Sequence, residues 1–234
     1  MSQTSDVKII SLGGSIIVPD RVDVPFLKNF YGKIAAYLLE EESRRVVIVC
    51  GGGAIAREYQ GAYRELVPNS VTDSQDWIGI AATRLNAELL RQLFIVDCPL
   101  PVVSDPTEVS VFPGRVLIAA GWKPGFSTDY DTVVLAQKFS ADFVVNLSNI
   151  AKVYSEDPKV NPHASPLDFI SWQDFRAMVG DVWTPGINVP FDPVAADYAS
   201  QISLKVIVAY GRDMENLDAI LNGRDFEGTV IGPQ

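Results

Sequence analysis

A single histidine, two cysteines and three methionines in 234 residues leave little for metal or thiol chemistry. His163 stands in a Pro-flanked polar segment, so neither a histidine-based zinc site nor a Ser/His/Asp triad is expected. Cys50 and Cys98 each lie in or beside an apolar stretch, which suits reduced buried thiols better than a disulfide framework. No run of about eighteen uncharged apolar residues occurs, and the opening MSQTSDVK is polar. Neither a membrane span nor a secretory signal is therefore expected, and the expected location is the cytoplasm. Positive charge is scarce as well: 19 Lys and Arg against 29 Asp and Glu give a net charge of −10, which disfavours nucleic acid and anionic lipid as partners. A small anion can still be held locally by backbone N–H groups, a few arginines and a divalent cation.

What the chain does have is 47% apolar composition, enough for a sizeable core, and one domain over residues 1–234 is expected. Its organising stretch is Val46 to Glu58: a short Val/Ile-rich strand, three glycines (Gly51, Gly52, Gly53), then a helical pattern from about Ala54. Bare glycine backbone at a helix N-terminus lets N–H groups approach an anion closely, so phosphate is the natural ligand, with Arg57 one turn in. Taken alone, such a run serves equally well to tighten a turn. A second break of the same kind follows the strand Lys8 to Leu12, at Gly13, Gly14 and Ser15. A helix expected from about Pro25 to Glu42 returns the chain to the Val46 strand, so both glycine turns fall at strand C-terminal ends. Two adjacent anion sites suggest two phosphorylated groups.

Further along, a long helix is expected over roughly Ser74 to Phe94, with Ile78, Leu85, Leu89 and Leu93 toward the core and Asp76, Gly79 and Thr83 sharing a ligand-facing side. Short strands are expected near Pro101 to Val103 and over Arg115 to Ala120. The loop Gly121 to Asp129 carries Lys123, and Ser127 or Thr128 caps the next helix. After a strand over Asp142 to Leu147, Asn149, Tyr154 and Asp157 offer an aromatic ring and a carboxylate of the kind an adenine and a ribose require. Helices Trp172 to Val179 and Pro193 to Ile202 flank a Gly/Pro-rich loop. A strand Lys205 to Ala209, a helix Met214 to Asn222 and a terminal edge strand Gly228 to Ile231 complete an α/β pattern with a mainly parallel sheet.

GGGAIAREY, DWIGIAATRLNAELL, PGFSTD and VYSEDP, in this order, resemble the amino acid kinase superfamily and, within it, the archaeal type of uridylate (UMP) kinase. The resemblance runs nearly end to end. It implies a three-layer α/β/α sandwich, Mg2+ carried by ATP, UMP as acceptor, and a homo-oligomer, specifically a hexamer. The N-terminal part would be mainly the acceptor side and residues from about 140 the donor side. Gly14, Ser15, Gly53 and Arg57 match residues that meet ATP phosphates, and Ser148, Asn149, Tyr154 and Asp157 match the adenosine side. Gly52 and Asp76, with Thr83, and the loop Trp122, Lys123, Pro124, Gly125, Phe126, Ser127, Thr128 match the UMP side. Asp129 matches the aspartate at the reaction centre, and no metal-ligating set of the protein's own is implied.

The chain departs from that pattern on the donor side. Ser11 stands where many members carry the lysine of KxGG, and Asp197 stands where relatives commonly have lysine. Ala151 and Lys152 replace an Asp-Gly, and GINVPFDP replaces a serine-rich stretch. Lys123 or Lys8 is the expected substitute cation. Two alternatives stay open: a kinase for another small phosphate or carboxylate, and a non-catalytic ligand- or anion-binding relative, as the molybdenum storage proteins of the superfamily illustrate.

Overall fold

The computed structural model describes residues 7–157, 160–180 and 189–233. In chain order the elements are β1 (Val7–Leu12), α1 (Gly14–Ile17), α2 (Val24–Glu40), β2 (Arg45–Cys50), α3 (Gly53–Leu66), α4 (Thr72–Leu93), β3 (Val116–Ala119), α5 (Thr128–Lys138) and β4 (Phe143–Ser148). They continue as β5 (Val153–Tyr154), β6 (Pro166–Leu167), β7 (Phe169–Ser171), α6 (Trp172–Val179), α7 (Pro193–Gln201), β8 (Lys205–Tyr210), α8 (Met214–Leu221) and β9 (Thr229–Gly232).

Seven strands form one sheet in the order β3-β2-β1-β4-β8-β9-β7, with β5 and β6 as a separate antiparallel pair. β1 through β4 and β8 run parallel, and only the β8–β9 pairing is antiparallel. Continuous Val/Ile runs such as RVVIVC and KVIVAY are what a parallel sheet covered on both faces requires. Alternation along β1 shows the two faces. Ile10 and Leu12 join a core with Phe30, Tyr37, Leu90 and Leu217, whereas Val7 and Ile9 join another with Val133, Phe175 and Ala196. The result is the expected α/β/α sandwich, with α2, α4 and α8 packed on one side and α5, α6 and α7 on the other.

Helix ends follow the local sequence. Asp23, Ser127, Ser171, Asp192 and Asp213 each cap the helix that follows, accepting a backbone N–H. β1 and β4 are neighbours, yet the chain beyond β1 continues on one side of them, to β2 and β3, and that beyond β4 on the other, to β8. Their C-terminal ends therefore mark the topological switch point at which open α/β sheets bind ligands.

Three expectations need correction. α4 turns a different face to the core: Ile80, Asn86, Ala87 and Leu90 are buried, while Leu85, Leu89 and Leu93 are exposed. Apolar residues recur at helical spacing on two sides of this helix, and tertiary packing chose the side carrying the small and polar residues. The stretch Pro101 to Val103 contributes a single bridge, Val103 to Ala119, rather than a strand. Finally, β9 is an inner strand, because β7, too short to leave a period-two signature, pairs with it and takes the edge. The expected loop from Gly180 to Pro193 falls largely outside the described residues, as does Pro158.

The α4 assignment sets an expected outcome. Leu90→Ala should lower unfolding free energy by about 2–5 kcal/mol, whereas Leu39→Ala, whose side chain on α2 is 82% exposed, should change it by less than about 0.5 kcal/mol. Urea denaturation of the two variants decides it.

Candidate active site

The two glycine turns at the ends of β1 and β2 lie back to back. A Cβ placed on Gly14 would sit 2.1 Å from the Gly53 nitrogen, and one on Gly51 would sit 2.4 Å from the Gly14 nitrogen. No side chain of any size fits between them. Gly53 also has a φ of +67°, the left-handed region that favours glycine. Gly13 donates its N–H to the Leu147 carbonyl of β4 at 2.9 Å and Gly51 donates to the Leu12 carbonyl at 3.0 Å, so both turns are fixed to the sheet.

From beneath, α4 holds the construction. Asn86 is 2% exposed, and its side-chain amide donates to the carbonyls of Gly51 (2.8 Å) and Gly52 (3.1 Å). One turn earlier, the Thr83 hydroxyl accepts the Gly121 N–H at 2.9 Å, and Arg84 donates to the Trp122 carbonyl at 3.2 Å. Near the helix start, Asp76 accepts the Gly125 N–H at 2.9 Å. One helix face thus ties the second glycine turn to the loop after β3. Asn86 recurs at helical spacing from Thr83 and Asp76, so the same periodicity that picked out those two also contained it.

These elements bound a cleft of about 890 Å³ at the strand C-terminal ends. Of the residues the resemblance singled out, Ser11, Gly14, Ser15, Gly52, Gly53 and Arg57 line it. So do Asp76 and Thr83 on α4, Phe126 through Asp129 on the loop and α5, and Ser148 and Asn149 after β4. Six expected members do not. Trp122, Lys123, Pro124 and Gly125 stand outside the lining; the loop's backbone is bound to α4, and the Trp122 ring lies against Phe126 with 5.3 Å between centres. The Lys123 ammonium lies 3.7 Å from the centre of the Trp122 ring, a cation–π position that occupies it. Tyr154 is tied into the β5–β6 pair, and Asp157 lies in the loop beyond it. Lys8, the other expected substitute cation, sits over the Phe143 ring at the far end of β1.

Several lining residues gave no signal in the reading of motifs. Asn146 of β4 donates to the Pro190 carbonyl at 2.8 Å. Tyr210 and Arg212 flank Gly211 at the end of β8, a strand-end glycine like the others.

At the centre stands Asp129, in the first turn of α5. Its Oδ1 accepts the Ser11 hydroxyl at 3.0 Å and its Oδ2 accepts the Asp192 N–H at 3.1 Å. Burial pushes its pKa above the ordinary carboxylate value, against the opposing pull of those two donors. Asp192 is held at about 7 by burial, with the Asp129 charge adding to the shift. Asp131, fully buried, is pushed up to about 8, mainly by burial, although it accepts the Trp122 N–H at 3.1 Å. Asp76 is raised too, by burial first, with the Gly125 N–H opposing. Of these four carboxylates Asp76 and Asp129 line the cleft, and displaced acidity at such a place marks a site built for charge chemistry.

The comparisons with known proteins agree with this geometry. The amino acid kinase family model matches residues 6–210, and the chain belongs to that family. A protein of Thermococcus sibiricus called uridylate kinase is 34% identical over 232 residues, covering 96% of this chain and 99% of that protein. The crystal structure of uridylate kinase from Archaeoglobus fulgidus superposes with a TM-score of 0.80 at 33% identity, over 96% of this chain and 100% of that one. The UMP kinase of Bacillus anthracis, 22% identical with a TM-score of 0.76 over 97% of this chain and 96% of that one, shares the fold.

Two outcomes follow. Gly14→Ala should cost about 1–3 kcal/mol or more, because backbone lies on every side of the new methyl group; an unchanged urea midpoint would contradict the contact. Asp131 has an ordinary value of 3.8 and about 8 in the fold. Between these pH values the folded state keeps a proton that the unfolded chain has released, so stability falls as pH rises through that window. Asp131→Asn removes the liability, and its stability relative to the parent should grow from about pH 5 to about pH 8. A pH-independent difference would place the shift elsewhere.

Proposed function

We propose that the protein is a kinase that transfers the γ-phosphoryl of ATP to UMP, giving UDP. What carries the reading is the pair of glycine turns packed back to back beneath one cleft, with Asp129 at its centre. The names of the full-length relatives support the choice of UMP.

Phosphoryl transfer asks little covalent chemistry of a protein; alignment of two oxygens and neutralisation of charge supply most of the rate. The backbone N–H groups of Gly14 and Gly53, two residues of the cleft lining, suit the phosphates, and Arg57, held by Ser15 at 3.1 Å, adds a cation at the rim. Asp76 has one oxygen committed to Gly125, and its other oxygen makes no hydrogen bond among the described residues, leaving an acceptor for a ribose hydroxyl. Phe126 offers a ring to the acceptor base, and Ser148 and Asn149 serve the donor nucleoside. Asp129 is clamped through both oxygens, so its orientation costs nothing at the moment of transfer.

Mg2+ carried by ATP would supply charge neutralisation on the transferring group, and Asp129 is the lining carboxylate that would help to hold it. An ion that keeps phosphate and water oxygens as most of its ligands needs one or two carboxylates, a need Asp129 meets. Exposed Trp77, Leu85, Leu89 and Leu93 leave an apolar stripe along α4 of the kind a second chain covers, in keeping with a homo-oligomer and, by family resemblance, a hexamer.

A second reading, nucleotide binding without turnover, draws on one observation: no lysine lines the cleft among the described residues, and Ser11 occupies Asp129 where a lysine would otherwise stand. A coupled ADP-release assay over a panel of nucleoside monophosphates and small acids separates the two. Release with UMP alone is expected, slowed about 100-fold or more in Asp129→Asn. Tight nucleotide binding with no release by the parent protein would favour the second reading.

A further inference from the structure

Among the residues that line the cleft, two carry positive charge, Arg57 and Arg212, and two carry negative charge, Asp76 and Asp129. A neutral lining must accept two phosphorylated ligands. Asp197 supplies no cation and pairs with Arg176 at 3.0 Å. Arg57 is bound on the α1 and α3 side, to Ser15 and to the Pro19 carbonyl. Among the described lining residues, the other cation is Arg212.

The position of Arg212 is constructed rather than incidental. It follows β8, whose last residue, Tyr210, pairs with Ser148 of β4, and the Gly211 N–H donates to the Ser148 carbonyl at 2.8 Å. A Cβ on Gly211 would lie 3.2 Å from the Ile16 side chain, so this loop runs against the α1 turn that carries the first glycine bend. The guanidinium is fixed twice. Its Nη2 lies 2.7 Å from Asp23 Oδ2, and its carbon lies 5.8 Å from the centre of the Phe26 ring. Asp23 is itself anchored, with Oδ1 accepting the Phe26 N–H as the cap of α2 and its own N–H donated to the Ile17 carbonyl.

We infer that Arg212 binds the phosphate tail of the donor nucleotide, held ready at the cleft wall by Asp23 and Phe26. A guanidinium has five N–H donors, and the carboxylate of Asp23 takes only part of that fork. The group is therefore oriented before a phosphate arrives, which lowers the ordering cost of binding. This assignment rests on the donor side of the cleft being the one next to Ser148, as the proposed function has it. It also gives the chain a cation where Ser11 and Asp197 provide none.

Calorimetric titration of the full-length protein with ADP, AMP, adenosine and UMP tests it. Arg212→Ala should weaken ADP about 10- to 100-fold, the range for losing a hydrogen bond to a charged group. Adenosine and UMP should bind as before, and Arg212→Lys should recover part of the loss. Asp23→Asn removes the carboxylate that orients the guanidinium but leaves its charge, and should weaken ADP by less than Arg212→Ala does. The inference is overturned if Arg212→Ala leaves ADP unchanged, if UMP weakens as much as ADP, or if Asp23→Asn weakens ADP as much as Arg212→Ala does. Parent protein that binds ADP through Arg212 yet releases none from ATP with UMP would sink the kinase reading and leave this inference standing.

Discussion

Everything in this molecule depends on the contact between two stretches of naked backbone. At Gly14 and Gly53 the chain comes so close to itself that a single methyl group would collide with a nitrogen of the opposite turn. Glycine is costly elsewhere in a fold because it loses more freedom than any other residue on ordering. Here the cost returns as two sets of main-chain donors at the ends of adjacent strands, close enough to serve two ligands in one cleft. The sheet order places that contact beside the switch point between β1 and β4, and the buried amide of Asn86 holds its carbonyls away from the ligand side.

α4 is the second organising element, and it works as a clamp more than as a wall. Its inward face carries Asp76, Thr83 and Asn86 among small apolar residues; the first two hydrogen-bond backbone of the loop after β3 and the third backbone of the second glycine turn. Polar groups this deeply buried are costly unless satisfied, and once satisfied they fix one arrangement. The loop between β3 and α5 is thereby held with Phe126, Ser127 and Thr128 in the cleft and with Lys123 outside it. The missing lysine at Ser11 is answered locally: a hydroxyl donates to Asp129 and the Asp192 N–H completes the pair, so the carboxylate stays oriented without an ammonium beside it.

Much of this was legible in the sequence, and the reasons are physical. Strands with continuous Val/Ile runs and glycine stops have one reading, and β1, β2, β4 and β8 lie within a residue of their expected ends. The glycine turns and the α4 face that carries Asp76 were visible as strand-end stops and helical spacing, whereas Asp129 was singled out by the resemblance; all of them line the cleft. Misreadings fell where tertiary context decides. α4 has two apolar stripes, and nothing in its own periodicity says which one is inside. β7 is three residues long, below what alternation can reveal, so β9 looked like an edge. Lys123 was expected at the reaction centre because charge in a strand-end loop suggests chemistry, but the aromatic ring next to it offers a nearer partner. Arg212 was overlooked for the opposite reason: its value comes from a carboxylate and a ring nearly 190 residues earlier in the chain, brought together only by the fold.

The central claim is that one cleft takes both phosphorylated ligands end to end, with their phosphates meeting over the paired glycine turns. Binding of an adenosine–uridine bisubstrate analogue, two nucleosides joined through a polyphosphate, tests it most directly. The account predicts one analogue per chain, bound more tightly than ADP or UMP, and displaced by either. Simultaneous uptake of the analogue and UMP by the same chain would contradict it, because the two nucleotide positions would then not lie in line.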